Sequence, residues 1–144
     1  MFLDMEMNEA LERRAPLPVG DYTGVIGDVK ARAWSSQKDT SKSGIAWDVP
    51  IVLDVPAELQ TELGLPPTLN VKDSIMLDLT EAGGLDMGKG KNGRLRTYRE
   101  ALDMNKPGES FSARKMTGGI VRVKISHELY QDNIMERVAG VAKA

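Results

Sequence analysis

The chain has 144 residues, 19 Lys+Arg, 21 Asp+Glu and one His, giving a formal net charge of −2, and it has no cysteine. The length suits one domain with a core of its own. The missing cysteines exclude a disulfide framework, a zinc ribbon, an iron–sulfur site and a thiol nucleophile. No apolar run approaches the ~20 residues of a membrane-spanning helix. Met1-Phe2-Leu3-Asp4-Met5-Glu6-Met7 lacks the basic start of a secretory signal, so a cytoplasmic protein is expected.

Residues 1–15 read as a short helix or arm. Leu3, Met7 and Leu11 recur at helical spacing, and Pro16 and Pro18 stop the pattern. Such a helix is marginal alone. Covering an open barrel end, touching a second subunit and remaining disordered are all open to it. Residues 20–34 read as one strand, with Val25, Val29, Ala31 and Ala33 on one face and Tyr22, Ile26, Lys30 and Arg32 on the other. Ser35–Ser43 is a polar loop that carries Lys38 and Lys42. Gly44–Val55 alternates cleanly, with Ile45, Trp47, Val49, Ile51, Leu53 and Val55 on one side. Pro50 within it suggests an edge position or a bulge.

A helical turn over Pro56–Leu65 leads to a third strand, Leu69–Thr80, with Ile75, Leu77 and Leu79 on one face. Glu81–Gly93 is a loop with five glycines. Arg94–Met104 is a helix whose apolar stripe is Leu95, Tyr98, Ala101 and Leu102. Ser110–Met116 holds a short turn. Gly119–Ser126 is a fourth strand with Val121, Val123 and Ile125 inward and Arg122 and Lys124 outward. His127–Asn133 is a turn region, and Ile134–Ala142 is the fifth strand. Three strands, a helix and two strands give an all-β (β-rich α+β) class. The architecture expected is a five-stranded OB-fold-like Greek-key barrel over residues 16–144, with one helix between strands three and four. A doubly wound sheet would need more helices.

The near-neutral total conceals segregated charge. Lys89–Lys124 holds ten bases against three acids, whereas Asp48–Asp86 holds eight acids against Lys72 alone. One basic face for a polyanion is the functional reading, and intermixed solvated faces are the plain one. Gly83 to Lys89 matches GxxxxGK, but Gly90 stands where a magnesium-binding Ser or Thr is required. The segment reads instead as a flexible basic loop. His127, the one histidine, cannot build a zinc site with the usual ligand spacing. Carboxylate pairs such as Asp48/Asp54 and Asp73/Asp78 read as solvated. No nucleophile–base pair emerges, so no enzyme, cofactor or metal is expected.

Aromatic rings interleaved with bases are what a single-strand groove needs. Trp34 lies between Lys30/Arg32 and Lys38/Lys42, and Tyr22 ranks second. Trp47 shares parity with Ile51 and Leu53, and Tyr98 belongs to the apolar stripe of its helix, so both read as core. The expected nucleic-acid contacts are Tyr22, Lys30, Arg32, Trp34, Lys38, Lys42, Lys89, Lys91, Arg94, Arg96, Arg122 and Lys124.

Pro18-Val19-Gly20-Asp21-Tyr22-Thr23-Gly24-Val25-Ile26 resembles the P-x-G-x-Y-x-x-x-I opening of small bacteriophage single-stranded-DNA-binding-like proteins. Lys42-Ser43-Gly44 resembles their polar turn. The helix at Arg94–Met104, Phe111, the strand from Gly118/Gly119 to Ile125, Tyr130 and the closing Val138-Ala139-Gly140-Val141 also fit. The resemblance covers roughly residues 16–144. It implies an OB-like fold and single-stranded DNA binding in replication or recombination, alongside phage or host replication proteins, with a homodimer as one expected state. The chain ends Val141-Ala142-Lys143-Ala144, without the acidic tail many such proteins carry, and has seven aromatic residues. Binding is therefore expected to be mainly electrostatic. The alternative is a protein-interaction module, such as a phage inhibitor of a host enzyme, using the acidic stretch or the arm. A virion assembly protein is a third reading.

Overall fold

The computed structural model describes Leu3 and residues 13–38 and 42–144. Most of the expected N-terminal helix or arm therefore lies outside the described residues. The strands are β1 (Gly20–Ile26), β2 (Lys30–Ser35), β3 (Ser43–Asp54), β4 (Thr68–Met76), β5 (Ile120–Tyr130) and β6 (Asn133–Lys143). Two helices, α1 (Ala57–Leu63) and α2 (Gly93–Ala101), flank β4, and Ala113–Met116 makes a 3-10 turn before β5. The chain is β-rich, as the alternation predicts.

All six strands join one antiparallel sheet, and β3 is its spine. One edge of β3 carries β4 from Ala46 to Asp54. The other edge is shared, with β2 along Ser43–Asp48 and β1 along Ile51–Leu53. β1 continues to β5, and β5 to β6. The expected single strand over 20–34 is thus two strands separated at Gly27–Val29. Pro50 faces that gap. Its carbonyl accepts from Gly27 N–H at 2.8 Å. The N and O of a strand residue point the same way, so the donor that proline lacks falls on the Gly27 side, where the Gly27 carbonyl accepts from the Thr117 hydroxyl at 3.3 Å instead. Pro50 thereby occupies a central strand without an unpaired neighbour.

The break also settles which face is inward. Tyr22, Gly24 and Ile26 are buried, and Val25 is exposed. They meet Val49, Ile51 and Leu53 of β3, Leu69 and Ile75 of β4, and Val121, Val123 and Ile125 of β5 in one core. Tyr22 is therefore a core residue and not an exposed stacking ring. Its hydroxyl donates to the Pro18 carbonyl at 2.7 Å. Gly24 permits this packing, because a Cβ there would lie 2.6 Å from Ile51 Cγ2 and 3.0 Å from Leu53 Cδ2. Trp47 packs half-buried against the same core, and Tyr98 is buried within it.

The strands of the last hairpin run further than their alternation suggests. Gln131 and Asp132 both adopt left-handed φ (47° and 63°), forming a two-residue turn between Tyr130 and Asn133. A bulge beside Lys124/Ile125 shifts the register of β6.

The sheet is open, with six strands rather than the five of a closed barrel. β4, paired only with β3, and β6, paired only with β5, approach each other, and no ladder joins them among the described residues. Helix α2 packs on both. It ends at Ala101, short of the expected Met104, with Leu95, Tyr98 and Ala101 buried. Arg94 Nη2 donates to Asp73 Oδ2 on β4 (2.7 Å) and to the Val138 carbonyl on β6 (2.9 Å). Arg94 Nε adds 3.0 Å to the same carboxylate oxygen, and the Tyr98 hydroxyl adds 2.6 Å. Asp73 is only 8% exposed, so these donors are what allow its charge to sit there.

Burial, then the Asp73 charge, holds the Tyr98 hydroxyl far above its ordinary value near 10. The unfolded chain releases this proton near pH 10 and the folded chain keeps it. Stability is therefore fully present below pH 10 and falls as pH rises above it. Tyr22, raised by burial, acts in the same direction. Tyr98→Phe is expected to cost about 1.5–3 kcal/mol at pH 8, the range for a hydrogen bond to a charged group. The same variant should lose less stability than the wild type between pH 9 and pH 11 in urea titrations.

Candidate nucleic-acid interface

The chain between β4 and α2 is folded back on itself before it reaches the helix. Thr80 N–H donates to the Gly84 carbonyl at 2.7 Å, and Gly83 takes φ 90° to complete the reversal. Asp86 N–H returns to the Asp78 carbonyl at 2.8 Å. Asn92 then closes the loop. Its Oδ1 accepts from Asp78 N–H (2.8 Å), and its Nδ2 donates to the carbonyls of Asp78 and Asp86 (3.0 Å each). Its own N–H donates to Asp78 Oδ2 at 2.7 Å. Asn92 is buried and left-handed (φ 52°), a conformation asparagine tolerates better than most residues. The exit of β4 and the entry of α2 are thus pinned together. Residues 87–91 are left as a projecting excursion carrying Lys89 and Lys91.

Beyond it, α2 divides its side chains. Arg94 turns to the seam between β4 and β6, while Arg96 and Arg99 line a cleft on the loop side. Arg99 donates to the Met104 carbonyl at 3.1 Å, and its guanidinium sits over the Phe111 ring, 4.6 Å from the centroid. Residues 105–109 and Phe111 complete the cleft, which is open and has a volume of about 740 Å3. Its cations are Lys89, Lys91, Arg96, Arg99 and Lys106, against the carboxylates of Asp86 and Glu109. Arg96 and Lys106 are loosely paired, at 3.8 Å to Glu100 and 3.3 Å to Asp103. Lys89 and Lys91 have no ion-pair partner among the described residues.

Three of the twelve expected contacts therefore meet in this cleft: Lys89, Lys91 and Arg96. The others stand elsewhere. Tyr22 is in the core and Arg94 is in the seam. Lys30, Arg32 and Trp34 share the outer face of β2, opposite Asp48, Ala46 and Gly44 of β3. The Trp34 indole covers Gly44, where a Cβ would lie 2.9 Å from its Nε1. That ring nitrogen is buried without a hydrogen-bond partner among the described residues. Arg32 is bound to Asp48 through Nε (3.0 Å) and Nη2 (3.3 Å), so much of its charge is already answered. The Arg32 and Ser74 hydrogen bonds hold the Asp48 carboxyl below its usual range. Lys38 and Lys42 are exposed on the β2–β3 connection. Arg122 and Lys124 are exposed on β5, facing Thr23 and Asp21 of β1.

Arg99, Lys106 and Phe111 are the cleft residues that sequence reasoning missed. Arg99 and Lys106 belong to the basic segment, and Phe111 is one of only seven aromatic residues, so both signals were present. What was lacking was the fold-back of residues 105–111 against α2.

His127 Nε2 lies 2.7 Å from the Leu17 carbonyl, to which it donates when that nitrogen carries the proton. Among the described residues, no group of three or more His, Asp or Glu is placed to hold a metal ion. No helix among them is long and apolar enough to cross a membrane. No family model and no curated protein matches the chain.

Asn92→Ala removes three side-chain hydrogen bonds at a buried site. It is expected to cost about 1–3 kcal/mol in urea unfolding. It should also speed tryptic cleavage after Lys89 and Lys91, because the loop opens locally.

Proposed function

We propose that this chain binds single-stranded DNA without sequence preference, using the cleft beside α2. The observation that carries the reading is the ring of Lys89, Lys91, Arg96, Arg99 and Lys106 around one open cleft that also holds Phe111. A strand of DNA presents regularly spaced phosphates, and mobile lysines at a rim follow such a backbone without reading bases. Arg99, seated over Phe111, keeps one cation and one ring together on the wall. Bases stack on arginine planes and aromatic rings alike.

The strand path supports an OB-like reading. β1 and β2 together behave as one strand interrupted at Gly27–Val29, since both pair with β3. Counted so, the order is β4, β3, β1/β2, β5, β6, with α2 placed between β4 and β5. We read this order as that of an OB-like barrel whose last seam is spanned by side chains instead of a ladder. The resemblance of residues 16–144 to phage single-strand-binding proteins points the same way, toward a role in replication or recombination.

Anisotropy of a labelled oligo-dT at two salt concentrations tests the proposal. Contacts to three to five phosphates should give a log–log salt slope of about −2 to −3.5. Lys89→Glu with Lys91→Glu should weaken binding at least about tenfold, equivalent to about 1.4 kcal/mol. Lys30→Glu, on the β2 face, should change it far less. No binding at low salt, or a loss with Lys30→Glu alone, overturns the cleft as the site.

A further inference from the structure

Past Ile125 and Val138 the β5–β6 ladder runs on beyond the core. The core-facing side of this ribbon carries His127 opposite Glu136 and then Leu129 opposite Ile134. Leu129 is 70% exposed and Ile134 is 51% exposed. Tyr130 and Met135, on the other side, are exposed as well. A two-stranded ribbon with large apolar side chains in water has little stability of its own and marks an interaction surface.

The chain itself arrives at this place. Arg14 forms an ion pair with Glu136, and the Leu17 carbonyl meets His127. Residues 13–17 therefore cross the ribbon one step before Leu129 and Ile134, and residues 1–12 start from there. Those residues carry Leu3, Met7 and Leu11 at a spacing that forms one apolar stripe on a helix. Leu3 is 97% exposed. A single chain thus leaves the ribbon pair and Leu3 exposed, although the chain at Arg14 lies beside the ribbon.

We infer that residues 1–12 of one copy dock on the Leu129/Ile134 face of a second copy's β5–β6 ribbon, and reciprocally, giving a two-fold dimer by arm exchange. Because arm and ribbon meet at Arg14–Glu136, one two-fold axis beside that point brings each arm to the other copy's ribbon. The same patch then serves both partners, as a closed two-fold interface requires. The inference does not depend on DNA binding and is tested without nucleic acid.

Light scattering after size exclusion should give twice the 15.8 kDa chain mass for the full protein. Leu129→Asp, and separately removal of residues 1–12, should each give the single-chain mass with an unchanged far-UV circular dichroism spectrum. The protein has no cysteine, so Leu3→Cys with Ile134→Cys in one chain is a clean cross-linking pair. Oxidation should produce a covalent dimer. A monomeric wild type up to 100-fold above the assay concentration overturns the inference. So does a dimer that survives both changes, or a disulfide that closes within one chain.

Discussion

One carboxylate oxygen, Asp73 Oδ2, receives three donors: two from Arg94 and one from the Tyr98 hydroxyl. The remaining oxygen accepts Ser74 N–H at 2.9 Å. This cluster sits where the sheet fails to close. β4 supplies the acid, β6 supplies the Val138 carbonyl that Arg94 also reaches, and α2 supplies both donors. Side-chain contacts therefore do at this seam what a backbone ladder does elsewhere in the sheet. A nearly buried acid without these partners would be costly, so the cluster is an all-or-none device. It also fixes the rotation of α2. With Arg94 and Tyr98 held against the sheet, Arg96 and Arg99 can only face the cleft.

The acidic and basic halves of the chain are not equivalent once folded. Four of the eight acids between Asp48 and Asp86 are engaged inside the molecule. Asp48 holds Arg32 and Ser74, Asp73 holds Arg94 and Tyr98, Asp78 accepts from Asn92, and Asp86 turns the loop by accepting Gly88 N–H. Their charge goes largely into positioning. Among the described residues, Lys89, Lys91, Arg122 and Lys124 keep no such partner. The segregation visible in the sequence thus becomes local acid-based scaffolding on one side and free positive charge on the other. The scaffolding at Asn92, Asp78 and Asp86 is what presents the free charge at the mouth of α2.

Much of this was legible in the residue order. Alternation gave the inward faces of β3 and β5, and helical spacing gave the buried Leu95, Tyr98 and Ala101 of α2. Three features were not legible, each for a physical reason. The break at Gly27–Val29 lies in a run whose alternation continues across it, and only the exchange of partners along β3 exposes it. Assigning Tyr22 to a face depended on that break. The length of the last hairpin was hidden because its outer half leaves the core, so Leu129 and Ile134 carry no burial pattern, and Gln131-Asp132 is not a glycine-bearing turn. The site followed the same rule. Basic segments were evident, but whether a given arginine serves the fold or the cleft depends on its partner. Arg94 and Arg96 are two residues apart and do opposite things.

The site proposed for single-stranded DNA is the cleft built on α2. Hydrogen exchange of the full protein with and without an oligo-dT measures this backbone by backbone. Slowed exchange concentrated in residues 85–111, with β2 and the facing part of β3 unchanged, is the predicted result. Protection confined to residues 30–35 and 43–48, with 85–111 exchanging as in the free protein, would contradict it.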